Sequence, residues 1–426
     1  MKKTTLIGGI VLCCMASLPT KAQLSAYDLN CPIGWATVDG EITGGDGGDE
    51  VVVTNEQEFE DALNKNAEGK TERDAKRIIY LKGDIKFTQL HTFHVQNKTI
   101  LGLPGSRLYN ENRTKKNGGL VKFTSGSENI IIRNVTIEGP GAYDVDGEDA
   151  LLFQECKRMW VDHCDILDGL DSSFDCNNGS DYISVTWTRF RYLKDPLAGG
   201  SGGANDHRFC NTWGASDKNA NKSAGKLNTT FANCWWGEGV MERAPRVRFG
   251  KVHVINCYYT NTGNHYSLGY GYMSNIYAEK CWFAEGVISS KNYTDAKHGY
   301  ADYNFQVIDC HGAEDVKEAV GDAAYFNPDD YYNYEGFDKE LVPTVVGDLK
   351  TGAGAHLMVE IGKGVTGYVG ESAPTEISSA LSQTAQIVNT VYYNATGTRF
   401  TVPQRGVNIV RQLMSDGSTR TVKITK

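Results

Sequence analysis

Proline is scarce in this chain, 10 residues against 47 glycines in 426, which excludes stiff proline-rich linkers and favours many tight turns. It has no CxxC pair and no His/Cys set at zinc spacing, so a structural zinc site is not expected. A basic excess is missing too. With a formal net charge of −9, any basic patch must be local, and neither nucleic acid nor an anionic membrane is an expected partner. Beyond the first two dozen residues no run is long and apolar enough to span a bilayer.

The apolar run that is present lies at the start. Lys2 and Lys3 precede an apolar stretch over 6–18, and Thr20-Lys21-Ala22 offers a cleavage site before Gln23. Residues 1–22 therefore read as a signal peptide, and the mature chain is expected to be secreted: extracellular, periplasmic or at the cell surface. Leu12 and Cys13, rather than small residues, stand before Cys13 and Cys14, which argues against a lipoprotein. Removing those two of the 11 cysteines leaves an odd number in an oxidising compartment.

The body of the chain is periodic. Helix spacing over 56–64, with Phe59, Ala62 and Leu63 on one side and Asn55 as cap, is followed by short strands at 78–81 and 98–102. Then come IIIRNVTI (130–137), MWVDHCDI (159–166), ISVTWTRF (183–190), TTFANCWW (229–236), VHVINCYY (252–259), IYAEKCWF (276–283) and FQVIDCHG (305–312). Aligned on Val135, Cys164, Trp187, Cys234, Cys257, Cys281 and Cys310, they repeat at steps of 29, 23, 47, 23, 24 and 29. Short strands at this period with no helix between them predict an all-β parallel solenoid, whose coils bury their apolar faces by stacking. Rungs about 4.8 Å apart put equivalent side chains above one another. The cysteines then form an interior column of small side chains, and disulfides between neighbours are disfavoured by their parallel Cβ directions. Asn233 and Asn256 are placed to form a ladder at a turn, and His163 reads as a stacked structural histidine.

The step of 47 holds the glycine-rich stretch 199–228, read as a long loop on one coil rather than an extra coil through Cys210. Residues 313–356 are expected to wrap over the solenoid. The organisation predicted is a signal peptide at 1–22, a β-helix domain at 23–358, a linker at 359–378 and a small C-terminal β module at 379–426. That module is short and alternating, and resembles the sorting or anchoring modules of exported Bacteroidetes proteins.

Two acidic sets stand one coil apart. Asp144, Asp146, Glu148 and Asp149 precede one strand; Asp171 and Asp175 flank the next, with 22 residues from Asp149 to Asp171. Coil stacking brings Asp149, Asp171 and Asp175 together as a hard-oxygen set suited to Ca²⁺. Arg243-Ala-Pro-Arg-Val-Arg248 lies a little further on, and clustered guanidiniums repel unless an anion sits among them. Cation-holding carboxylates beside converging arginines describe a site for a polyanion.

These segments together resemble the pectate lyases of polysaccharide lyase family 1. The opening GWATVDGEITGG…EVVVTN, WVDHC at 160–164, GSDYISVTW at 179–187 and RAPRVRFGKVHVINCYY at 243–259 follow the family's order over roughly residues 34–356. The resemblance implies a right-handed single-stranded parallel β-helix that cleaves polygalacturonate by β-elimination. It also implies Ca²⁺ on Asp149, Asp171 and Asp175, Arg243 as catalytic base, and substrate carboxylates on Arg248. The family's substrate-binding lysine falls at Asp195, so Lys194, one residue earlier, is assigned that role. A further acidic residue common in the family falls on Gly147, with Asp146 and Glu148 beside it. Three other readings are open: a pectin lyase on methyl-esterified substrate, a non-catalytic pectin-binding β-helix, and a polygalacturonase-like hydrolase using a carboxylate pair. The hydrolase's GHG and RIK elements are absent. A monomer is expected.

Overall fold

Successive turns of the chain build three sheets, of eleven, eight and eight strands among the described residues, parallel except for the last strand of the eleven, Ala319–Val320. The computed structural model describes residues 32–293, 302–313, 319–320, 325–370, 387–394, 399–400, 402, 407–414 and 419–425. The expected signal peptide, Cys31 and residues 371–378 of the expected linker lie outside them. A representative coil places Leu151–Gln154 in sheet 2, Lys157–Asp162 in sheet 1 and Asp165–Leu167 in sheet 3. In-register pairing stacks Ile100, Ile132, Val161, Val185, Phe231 and Val254 into one buried column of sheet 1. A period of two makes this possible, since alternate residues of every rung face inward. The architecture is the parallel β-helix that the spacing predicts.

Inside, aromatic rings run edge to face from rung to rung: Phe123 to Phe153 at 6.0 Å, Phe153 to Phe174 at 4.9 Å and Phe174 to Trp213 at 5.2 Å between centroids. The helix Glu56–Asn64 closes the N-terminal end, capped by Asn55 and burying Phe59, Ala62 and Leu63 as expected. The eight described cysteines are free and buried. The thiols of the Cys164 column turn to backbone carbonyls, as Cys234 Sγ does to Val185 O at 3.3 Å and Cys281 Sγ to Glu279 O at 3.3 Å.

One alignment shifts by a residue. Asp162 pairs with Thr186 and Asp165 with Arg189, so Thr188, not Trp187, shares the column of Cys164. Trp187 instead stands in the turn column, with φ of 48° beside 46° at His163 and 48° at Asn256, and stacks on His163 at 5.6 Å. An outward position could hold a tryptophan because Val342, Val346 and Ala353 of the wrapping segment cover it. Sequence spacing cannot distinguish an outward residue buried by a distant segment from an inward one. Asn256 ties the same wrap down, donating to Phe337 O at 2.8 Å and accepting from Phe337 N at 2.9 Å.

The long step contains no extra coil. Its excess is divided around an ordinary sheet 2 rung, Thr212–Trp213, which pairs with Cys176 on one side and with Arg246–Val247 on the other. The compact body runs on to Val369, past the expected boundary at 358. A hairpin of Leu357–Glu360 and Gly364–Tyr368 buries Leu357, Val359 and Tyr368 against Tyr80 and Leu101. Its polar residues face outward and disguise it as linker. The C-terminal unit is a four-stranded antiparallel sheet in the order Arg399–Phe400, Ile387–Asn394, Val407–Met414, Thr419–Thr425.

Candidate active site

Sheet 2 carries the site because its rungs bring consecutive polar residues outward while the aromatic column fills the inside. Asp175 pairs with Leu152 in the rung of Phe174–Asn177, and its Oδ1 accepts the N–H of Thr212 on the next coil at 2.7 Å. Asp149 and Asp171 lie just ahead of their strands; Ala150 N donates to Ser172 O at 3.1 Å, which brings the two approaches side by side. Arg243 comes from the coil after Thr212. Its backbone is fixed on both sides, with Asn211 N donating to Arg243 O at 2.7 Å and Ala244 N to Ser267 O at 2.8 Å. Its guanidinium donates to Thr212 Oγ1 at 3.1 Å and lies 4.7 Å from the Phe209 ring centroid.

The electrostatics are those of carboxylates crowded together away from water. Burial, then the charges of Asp175, Asp171 and Glu148, hold Asp149 well above the usual carboxylate range, and its buried Oδ1 has no hydrogen-bond partner. Asp175 is pushed up to about 7, chiefly by burial, although Arg243 and the Thr212 N–H work against the shift. Burial by itself would lower Arg243, but Asp175, then Tyr266, Asp171 and Glu242, hold it above its ordinary value. The charges of Asp171 and Asp175 thus reach Asp149, but among the described residues the acidic group whose ligand atoms all lie within 4.8 Å of one another is Asp144, Asp171 and His207, which holds only Asp171 of the expected three.

The other expected residues are distributed around this centre. Arg248 is anchored to the 214–217 turn, with Nε donating to Asp217 Oδ1 at 2.6 Å and one terminal nitrogen to Gly214 O at 2.7 Å. Arg246, between the two, lies 3.9 Å from the Tyr293 ring centroid and is held below its ordinary value by burial and by Arg248. Lys194 is directed elsewhere: its Nζ pairs with Glu138 at 2.6 Å and donates to Gly139 O at 2.7 Å. Asp146 is also turned away, paired with Lys115 at 2.9 Å, whereas the field of Glu148 does reach Asp149. Sequence reasoning missed His207, whose Nε2 lies 2.9 Å from Asp171 Oδ1. The only signal was its place in the glycine-rich loop.

A family profile described as "Pectate lyase" matches residues 2–309. The probable pectate lyase B of Aspergillus terreus is 32% identical over 239 residues, 54% of this chain and 62% of that protein. A pectate lyase E of Dickeya chrysanthemi is 30% identical over 309 residues, 62% of this chain and 73% of its own. The match to the Aspergillus relative thus spans about three fifths of that protein's length. Among solved structures, the thermostable pectate lyase PL 47 superposes with a TM-score of 0.56 at 19% identity, covering 78% of this chain and 99% of that one. The cedar pollen allergen jun a 1 superposes at 0.55 with 18% identity, covering 74% and 91%. These superpositions establish a shared fold.

Proposed function

This chain belongs to the pectate lyase family, and from that premise we propose that it cleaves α-1,4-linked polygalacturonate by β-elimination, leaving 4,5-unsaturated oligogalacturonides. The observation that carries the reading is Arg243 facing Asp149, Asp171 and Asp175 across adjoining coils. In this reaction a base removes the proton on C5, the C4–O bond breaks, a C4=C5 double bond forms and the departing oxygen takes up a proton. The developing charge at C5 is tolerable only if the neighbouring uronate carboxylate is neutralised.

Asp149, Asp171 and Asp175 would hold Ca²⁺. The fit rests on their all-oxygen donor set, the orphaned Asp149 Oδ1 and the raised proton affinity of two of them. Bound there, the ion would supply positive field to a substrate carboxylate. Arg248, fixed by Asp217 and Gly214, presents its guanidinium to a second carboxylate. Lys194 would join it on exchanging Glu138 for substrate. Arg243 is the base in this reading. A guanidinium ordinarily stays protonated, and the aspartates hold the proton on Arg243 more firmly still. The role therefore requires those carboxylates to be neutralised first, so activity is expected to rise towards alkaline pH. Secretion through residues 1–22 and action as a monomer belong to the same proposal.

Incubation with polygalacturonate, in calcium or in excess chelator, tests it by the near-ultraviolet absorbance of unsaturated ends. Absorbance that requires calcium is the expected result. New reducing ends without absorbance would mean hydrolysis, and binding without cleavage would leave only a pectin-binding solenoid.

A further inference from the structure

The glycine-rich loop after residue 198 has no role in the reaction above, yet it is built tightly around one side chain. Gly202 N donates to Asp144 O at 2.8 Å, and Ala204 N donates to Asp144 Oδ2 at 2.7 Å. A side chain at Gly202 would overlap the Asp144 carboxylate, and one at Gly200 would overlap its backbone, so these glycines allow the loop to close. The closure delivers His207 beside Asp144 Oδ1.

His207 is only 6% exposed. Its Nε2 lies 2.9 Å from Asp171 Oδ1 and its Nδ1 lies 3.4 Å from Asp144 Oδ1. Neither nitrogen has the alignment of a hydrogen bond with any partner. A buried imidazole whose nitrogens lie beside carboxylate oxygens but do not point at them is costly. It has the arrangement of neighbouring ligands that point at a common ion rather than at each other. One ligand atom from each of Asp144, Asp171 and His207 lies within 4.8 Å of the others. Arg208, the nearest cation in sequence, is taken up by Asp206 at 2.7 and 2.5 Å and does not fill the gap. Phe209, with its ring centroid 4.2 Å from that of His207, forms one wall.

We propose that Asp144, Asp171 and His207 form a second divalent-cation site, of mixed nitrogen and oxygen donors, that takes a borderline ion such as Zn²⁺ and shares Asp171 with the all-oxygen set. One imidazole and two carboxylates suit Zn²⁺ or Co²⁺ better than Ca²⁺, which takes oxygen alone. The site borders the proposed lyase centre, but its existence does not depend on lyase activity.

The test uses the full chain, dialysed free of metal, with Zn²⁺ binding measured by calorimetry and Co²⁺ as spectroscopic probe. One equivalent of Zn²⁺ should bind, and the Co²⁺ complex should show visible bands without the intense near-ultraviolet absorption of a thiolate ligand. His207→Ala and Asp144→Asn should each weaken binding by more than about 100-fold, beyond the 10–100-fold typical of an outer-shell partner. Asp149→Asn should keep the Zn²⁺ equivalent, though it removes a calcium ligand; pectate cleavage and Zn²⁺ binding can therefore fail separately. Equal binding in the wild type and the His207 variant would overturn the proposal, as would loss on Asp149→Asn alone. A thiolate spectrum or no binding at all would do the same, leaving His207 as a bridge between two carboxylates. Should the variants not fold, the wild-type Co²⁺ spectrum decides.

Discussion

At the scale of single residues, the site depends on carboxylates kept close together at a cost. Asp149 and Asp175 bind protons more tightly folded than unfolded. Such a group contributes stability that is fully present below its unfolded value near 4 and is lost as pH rises through the folded value, about 7 for Asp175. The metal-free protein should therefore lose several degrees of thermal midpoint between pH 5 and pH 8. Calcium should restore more at pH 8 than at pH 5, and Asp175→Asn should flatten both dependences. A midpoint indifferent to pH and calcium would refute this account of the cluster. Arg243→Ala removes the group that faces those carboxylates but no calcium ligand. Its expected effect on polygalacturonate cleavage is a fall of about 10²–10⁴-fold in kcat, the range for a positioned base, with KM within a few-fold. Near-normal turnover would remove Arg243 from the mechanism.

At the scale of an element, the short rung Thr212–Trp213 joins core to chemistry. Thr212 offers its N–H to Asp175 and its hydroxyl to Arg243. On the inner face Trp213 packs 5.2 Å from Phe174 and 4.9 Å from Phe231, and donates from Nε1 to Thr229 Oγ1 at 2.7 Å. Trp213→Ala should cost about 3–5 kcal/mol, the usual range for a large buried aromatic, measured by denaturant unfolding. Because the same rung positions Asp175, calcium affinity should fall as well. A destabilised variant with unchanged calcium affinity would show that the site is held independently of this core. The rung was hard to find in the sequence, being two residues long between two irregular stretches. The helix Glu56–Asn64 was legible because cap and period agreed. The hairpin at 357–368 was not, since its burial depends on Tyr80 and Leu101, far away in the chain.

At the scale of the whole molecule, every proposed site residue lies in the body that ends at Val369. A chain terminated after Gly370 should keep lyase activity within about two-fold, because that body supplies all of the proposed site residues. Loss of cleavage with unchanged unfolding would assign the C-terminal sheet a part in catalysis.

The sequence by itself determined the coil. Strand period and cysteine spacing recur locally, and stacking the coils puts Asp149, Asp171, Asp175 and Arg243 on neighbouring turns, near enough for their charges to interact. Only the tertiary structure decided what irregular segments do, because their neighbours are set by the path of a loop rather than by a period. It moved Trp187 into the turn column under the wrapping segment, gave Lys194 to Glu138, turned Asp146 out to Lys115 and folded the 199–207 loop so that His207 meets Asp144 and Asp171.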